Sequence, residues 1–233
     1  MPTPTFNSAL IVGAGSGLSA ALARLLAKEG IKIALAARST GDLVELAKET
    51  GAKTFACDAS KPAEVAKLFA DLDASLGAPE IAVYNASYRT RGPFVELDAA
   101  EVERSIAVSA FGGFLVGQEA ARRMLAKKHG AILFTGASAS VKGYAQSAPF
   151  AMGKFALRGL AQSMARELQP QGIHVAHVVV DGGIKSGRRA PSPDNPDGLL
   201  DPDAIAASYM YLIRQPRSTW SWELELRPWV EKF

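Results

Sequence analysis

One stretch constrains this chain more than any other: residues 7–27, Asn-Ser-Ala-Leu-Ile-Val-Gly-Ala-Gly-Ser-Gly-Leu-Ser-Ala-Ala-Leu-Ala-Arg-Leu-Leu-Ala. It opens with an apolar run, 9–12, of the length of a buried strand. It then breaks on Gly13, Gly15 and Gly17. Apolar residues resume at Leu18, Ala21, Leu22, Leu25 and Leu26, which is helical spacing. Strand, glycine turn and helix in that order build a phosphate cradle. Glycines let the backbone approach a pyrophosphate, and the free N–H groups and positive dipole end of the helix face its charge. The segment Gly13, Gly15, Ser16, Gly17, Leu18 is therefore the candidate pyrophosphate site. The G-x-G-x-x-G fingerprint fails, because Leu18 stands where its third glycine belongs. The spacing Gly13-x-x-x-Gly17 fits better, with Ser19 where a further glycine would complete it. A membrane span is excluded, since Arg24 arrives before the roughly 20 apolar residues a span needs.

The rest of the chain repeats the alternation. Short apolar runs at 31–37, 53–57, 80–84, 131–134 and 174–180 read as strands. Helical patterns at 41–50, 60–76, 102–127 and 147–168 lie between them, with Ser60 expected to cap the third helix; the fourth is one long helix, interrupted in pattern by Gly112-Gly113 but carrying apolar residues throughout. Residues 202–213 read as a last helix, and Trp222-Glu-Leu-Glu-Leu-Arg227 alternates like an edge strand. Apolar strands joined by helices predict a single-domain α/β fold over residues 1–233, a Rossmann-type doubly wound parallel sheet. Its ligand should lie beyond the carboxyl ends of the strands, where strand order reverses. The proline-rich stretch 187–198 is too long for a turn and reads as a variable loop or lid.

Composition narrows the function. The formal charge of +3 is small and its cations are scattered, so nucleic acid is not an expected partner. One cysteine, Cys57, excludes an internal disulfide and a cysteine-rich metal site. Only three histidines occur, and His174 and His177 have no carboxylate near them in sequence, so no metal is expected. No basic flank precedes an apolar run at the N-terminus, so a cytoplasmic protein is expected.

Three more loops should face the ligand. The second strand ends Ala36-Ala37-Arg38, without the acid that accepts from an NAD ribose 2′-hydroxyl. A guanidinium there favours a 2′-phosphate, and so NADP(H) over NAD(H). Asp58, with Ala59 beside it, could accept from an adenine amino group. Asn85 and Ala86, past the fourth strand, could pack on the adenosine.

Over about residues 6–227 the chain resembles the short-chain dehydrogenase/reductase family. The glycine motif is kept at Gly13 and Gly17, Tyr84-Asn85-Ala86-Ser87 stands for Asn-Asn-Ala-Gly, and Asp181-Gly182 stands for Pro-Gly. The resemblance implies that Gly182 and Ile184 touch the nicotinamide. It also implies a homodimer or homotetramer built on the helices 102–127 and 147–168. The latter carries Phe155, Leu157, Leu160, Met164 and Leu168, more apolar surface than one sheet face requires. The family's Tyr-x-x-x-Lys helix reads Phe150-Ala-Met-Gly-Lys154 here. Its serine falls on Ala137 and its asparagine on Ser109, so the branch has Phe in place of Tyr. Lys154 can hold the nicotinamide ribose. Lys154, Ser138 and Tyr144 are the candidates to replace the lost proton chemistry. Two functions stay open: an oxidoreductase acting on a carbonyl or alcohol, and a catalytically impaired nucleotide-binding sensor or partner of the same fold.

Overall fold

The computed structural model describes residues 4–187 and 189–231. The expected loop at 187–198 therefore includes one residue, Arg188, that lies outside the described set. Seven parallel strands form the central sheet: β1 (Ser8–Val12), β2 (Lys32–Ala37), β3 (Lys53–Ala56), β4 (Ile81–Tyr84), β5 (Gly130–Thr135), β6 (Ile173–Val180) and β9 (Glu223–Leu226). Their order across the sheet is β3-β2-β1-β4-β5-β6-β9. A two-residue pair, β7 (Gly183–Ile184) with β8 (Leu199–Leu200), brackets the 187–198 loop.

Strand residues alternate between two cores. Ala9, Ile11, Ile33, Leu35, Ile81 and Val83 face one side, against α1 (Leu18–Lys28) and α7 (Pro202–Ile213). The short helix α2 (Val44–Thr50) joins the same core through Leu46. Leu10, Val12, Ala34, Ala36, Ala82 and Tyr84 face the other side, against α3 (Pro62–Ser75), α5 (Gly112–Lys127) and α6 (Ala148–Leu168). Both faces of the sheet are covered, so its strands read as continuous apolar runs. In α1 the helical spacing buries Leu22 and Leu26 completely, and each such side chain contributes about 1.5–3 kcal/mol. Sequence order reverses between β1 and β4, the neighbours that flank the switch point.

Two expectations require correction. Ser60 does not cap α3. The cap position is Lys61, with Pro62 opening the helix, and Ser60 instead donates its hydroxyl to Asp58 Oδ1 at 2.7 Å. The long helix is continuous through Gly112-Gly113, as expected. It runs from α4 (Ala99–Ile106) into a π-helical segment, Ala107–Phe111, and on into α5. The glycines answer a packing demand. A Cβ on Gly112 would stand 2.2 Å from the Tyr84 hydroxyl, and one on Gly113 would stand 2.5 Å from Leu157. The buried Tyr84 hydroxyl donates to the Val108 carbonyl inside the π segment. Finally, Leu157, Leu160, Met164 and Leu168 are not spare surface, because all four pack into this molecule's own core. Phe155 alone of that set stays exposed, as do Met152 on the same helix and the stacked pair Phe111 and Phe114, each between 40% and 50% exposed.

Candidate active site

A cleft runs over the carboxyl ends of β1, β2 and β4 in two adjoining parts that share Gly13 and Asn85. The first, about 560 Å³, is lined by Arg38, Asp58, Ala59 and Ala86 among others. The second, about 390 Å³, is lined by Gly15, Gly17, Leu18 and Ile184, with Lys185 and Arg189 from the 187–198 side. Most of the residues picked from the sequence for cofactor binding thus meet along one groove. Ser16 is exposed in the same glycine turn but does not line it. Gly182 sits behind. Its φ of 153° is positive, and a Cβ there would fall 2.8 Å from a Pro228 ring carbon, so no side chain fits.

The glycines divide into two kinds. Gly13 holds φ +83°, and a Cβ there would fall 2.3 Å from the Ala86 backbone nitrogen, so it permits β1 and the β4 loop to touch. Gly15 and Gly17 would meet nothing within 4 Å, which leaves their backbone open to the groove. At the start of α1, Gly17 supplies no side-chain cap, and the first turn holds no acidic residue. The amino end of α1 therefore points unclaimed N–H groups and positive dipole charge at the groove. Ser19, at the family's last glycine position, ties the turn together. Its hydroxyl donates to the Gly13 carbonyl at 3.1 Å and accepts from Asn85 Nδ2 at 2.7 Å. The residues fit a dinucleotide: an anion cradle in the middle and polar groups for an adenosine at one end.

At that end, burial works to raise the Asp58 carboxyl, but two hydrogen bonds from Ser60 and the charges of Arg38 and Lys61 outweigh it and hold it below its ordinary range. Arg38 itself forms no hydrogen bond or ion pair among the described residues. Ser39, Asp42, Cys57, Ser87 and Val108 also line this part, and sequence reasoning missed them as site residues. Burial pushes the Cys57 thiol up to about 11, which leaves it inert as a nucleophile.

The catalytic candidates are placed less uniformly. Lys154 is buried, and its Nζ donates to the Thr135 carbonyl at 2.7 Å. Its Nζ lies 5.8 Å from the Phe150 ring centroid, and the Arg89 guanidinium carbon lies 4.8 Å from the same ring. Ser109 is buried in the π segment, accepting from the Tyr88 N–H at 3.3 Å. Ser138 is half-buried at the start of a short 3₁₀ turn, and Tyr144 is exposed. On β6, His177 places Nδ1 3.0 Å from Glu223, which also takes two hydrogen bonds from Arg158 on α6.

Burial lowers Lys154 to about 8. The folded state therefore sheds this proton at lower pH than the unfolded chain, whose ordinary value is 10.5. Below pH 8 both states are protonated and the fold bears the full cost of the buried charge. Between pH 8 and 10.5 the unfolded chain holds more protons, so this group's contribution to stability rises with pH. Lys154→Met is expected to gain stability relative to the native protein at pH 7, and that advantage should shrink by on the order of 3 kcal/mol by pH 10.5. Urea unfolding across this range checks it. Parallel curves for the two proteins would show that burial does not perturb the amine.

The fold and groove define a dinucleotide-binding α/β protein of the Rossmann type. The sequence matches the short chain dehydrogenase family over residues 7–196. It is 30% identical over 183 residues to the 3-oxoacyl-[acyl-carrier-protein] reductase MabA of Mycobacterium avium, covering 78% of this chain and 69% of that one. Among solved structures, a short-chain dehydrogenase from Rhodopseudomonas palustris superposes with a TM-score of 0.83 at 34% identity, over 97% of this chain and all of the other. A metagenomic short-chain oxidoreductase in complex with NADP gives 0.82 at 28% identity, covering 95% of this chain and 97% of its own. The chain belongs to the short-chain dehydrogenase/reductase family of NAD(P)-dependent oxidoreductases. Among the described residues, no helix is long and apolar enough to cross a membrane.

Proposed function

We propose that the protein is an NADP(H)-dependent oxidoreductase that interconverts a carbonyl and an alcohol. The observation that carries this reading is the groove whose centre is the open glycine turn and the uncapped amino end of α1. A bound nicotinamide dinucleotide supplies the hydride. Gly15, Gly17 and Leu18 hold its pyrophosphate, and Asp58, Ala59, Asn85 and Ala86 bound the adenosine end. Gly182 and Ile184 face the nicotinamide, as the family resemblance implies. Phe150 has no proton to give. Lys154, lowered to about 8 by burial, holds a transferable proton near neutrality. Ser138 and Tyr144 are the hydroxyls available to orient the substrate oxygen. Anaerobic incubation with NADPH and a panel of ketones and aldehydes, followed through the absorbance of the reduced nicotinamide, tests the reading. Binding of NADPH without oxidation on any member would favour the impaired nucleotide-binding alternative.

Arg38 carries the cofactor preference. A charged hydrogen bond to a 2′-phosphate contributes about 1.5–3 kcal/mol, so Arg38→Ala should weaken NADPH roughly 10- to 100-fold and NADH little. Fluorescence titration of both nucleotides checks this. Equal native affinities, or an unchanged variant, would refute the preference. Asp42 lines the same pocket and opposes a phosphate.

We further propose a homodimer or homotetramer through the exposed side chains of Phe111, Phe114, Met152 and Phe155. Phe111 and Phe114 stack with centroids 6.1 Å apart, and a free surface this apolar favours association. Light scattering should give a dimer or larger mass, and Phe114→Glu with Phe155→Glu should yield monomers. A concentration-independent native monomer would exclude this interface.

A further inference from the structure

Seven of the thirteen described arginines have carboxylates, among them Arg24 with Glu49, Arg123 with Asp73 and Glu119, and Arg158 with Glu223. Arg89, Arg91 and Arg189 form no ion pair and no side-chain hydrogen bond among the described residues. Arg189 lines the glycine-turn part of the groove, and Arg89 lies near enough to feel both Arg189 and Arg91. Arg89 leaves the loop after β4 and lays its guanidinium 4.8 Å from the centre of the Phe150 ring. Arg91 follows on the same loop, which Gly92 anchors to the segment before α6 by donating its N–H to the Gln146 carbonyl at 3.2 Å. Arg189 reaches in from the opposite side. Paired backbone bonds to Ser186 fix its turn, and its guanidinium fills the space a Cβ on Gly183 would take, 2.5 Å from Nη1. Burial first, then repulsion from Arg91 and Arg189, lowers the pKa of Arg89. Arg91 and Arg189 therefore both act on Arg89. Lys185 adds a fourth cation to the adjoining wall, and among the described residues no carboxylate lines the glycine-turn part of the groove.

Like charges gathered without a counter-ion oppose one another, and the arrangement is relieved by an anion bound among them. Guanidinium groups present planar forks that match a carboxylate or phosphate in two-point contact. We propose that Arg89, Arg91 and Arg189 form a binding site for a carboxylate or phosphate group of the substrate, so that the carbonyl or alcohol this protein acts on is an anionic one. The proposal rests on the oxidoreductase reading for the word substrate, but the anion site itself stands on the cluster. Two sources of the anion share this chemistry, the substrate and the phosphates of the cofactor. The cofactor phosphates have their own places, at the amino end of α1 and at Arg38; Arg189 borders the first of these, whereas Arg89 stands over Phe150, whose ring Lys154 also approaches. The position assigns the cluster to the substrate. An anion held by guanidinium groups beside Phe150 would set the distance from that group to the reacting carbon, which gives the site a means of choosing among carbonyl compounds without the family's serine and tyrosine.

The test uses the full chain saturated with NADP⁺ at low salt. Calorimetric titration compares 3-oxobutanoate with its methyl ester and dihydroxyacetone phosphate with dihydroxyacetone, with inorganic phosphate and malonate as shape-independent anions. At least one anionic member should bind tenfold or more tightly than its neutral counterpart. Arg89→Ala with Arg91→Ala should reduce that anion's affinity by tenfold or more while leaving NADPH affinity within about twofold, and Arg189→Ala, which also borders the glycine turn, should reduce the anion's affinity by a similar factor. Arg38→Ala serves as the converse control, losing NADPH and keeping the anion. Because all three arginines are exposed, the variants should retain the native circular dichroism spectrum and melting temperature. Arg89→Lys, which keeps the charge and loses the fork, should fall between native and alanine. No anion preferred over its neutral partner overturns the proposal. A fall in NADPH affinity in the Arg89→Ala, Arg91→Ala protein that matches its fall in anion affinity also overturns it, since the cluster then serves the cofactor. Anion binding that depends on the arginines in a protein that oxidises no NADPH would sustain the site and refute the oxidoreductase reading. Turnover of acid and ester at equal kcat/KM, unchanged in the arginine variants, would do the reverse.

Discussion

Gly13→Ala should cost the protein on the order of 3–5 kcal/mol, whereas Gly15→Ala two residues away should cost almost nothing in stability and much in nucleotide affinity. Gly13 combines a left-handed φ of +83° with a Cβ position 2.3 Å from the Ala86 nitrogen, and its neighbours there are backbone atoms that cannot rotate aside. Left-handed backbone costs an L residue roughly 1–2 kcal/mol before the clash is counted. A domain of this size loses about 2–4 °C in melting temperature per kcal/mol, so the fall should be roughly 6–20 °C. At Gly15 a methyl would project into open groove, with nothing within 4 Å. It should leave the melting temperature within about 2 °C and lower NADPH affinity by tenfold or more, because it shields the N–H groups that receive the pyrophosphate. Calorimetric melting and nucleotide titration of the two variants separate the roles. A Gly13→Ala protein as stable as the native would mean that β1 and the β4 loop are not in contact.

The second large effect is a gain. Phe150→Tyr adds one oxygen to a ring already placed 5.8 Å from Lys154 Nζ, and should cost less than about 1.5 kcal/mol in stability. The new phenol would sit among the Lys154 and Arg89 charges, which favour its ionised form and lower its pKa. Ala137→Ser restores the hydroxyl at the residue that opens the turn after β5. The double variant should reduce small activated ketones with NADPH at least tenfold faster than the native protein, the lower end of what a general acid contributes. Lys154→Ala in that background should remove the gain. A folded double variant that binds NADPH without any increase would mean that residue 150 does not face the reacting oxygen.

Much of the fold was legible because buried parallel strands and their covering helices leave two clear periods in the sequence. The run at 9–12, the glycine break and the spacing from Leu18 to Leu26 became β1, the groove and α1. What stayed hidden depends on pairings between distant residues. Nothing near His177 in sequence announces Glu223, which stands 46 positions away and reaches it only because β9 pairs with β6. Gly112-Gly113 interrupted the apolar pattern of their helix for no reason visible locally, because the demand for them comes from Tyr84 and Leu157 on other elements. Ser60 was an ordinary capping residue until Asp58 claimed its hydroxyl. Leu160 and Met164 suggested an interface because helical spacing does not say how wide a face the sheet will cover. Arg38 was legible as a groove residue from its place after β2. The approach of Arg91 and Arg189 to Arg89 was not, since it requires two loops some hundred positions apart to come near one another.

The ion pairs around Glu223 bear on how the protein is made. Helix α6 carries both Phe150 and Lys154, and its Arg158 is held by two hydrogen bonds to Glu223. During synthesis from the amino end, the glycine turn and its first four strands emerge long before β9 does. A nascent chain can therefore assemble its nucleotide cradle while α6 still lacks its outer anchor and the β6 edge remains uncovered. The order of translation lets the glycine turn and its strands form before α6 has its outer anchor. Nucleotide captured at that stage would bind the folded half in preference to the unfolded chain and draw the remaining elements into place by mass action.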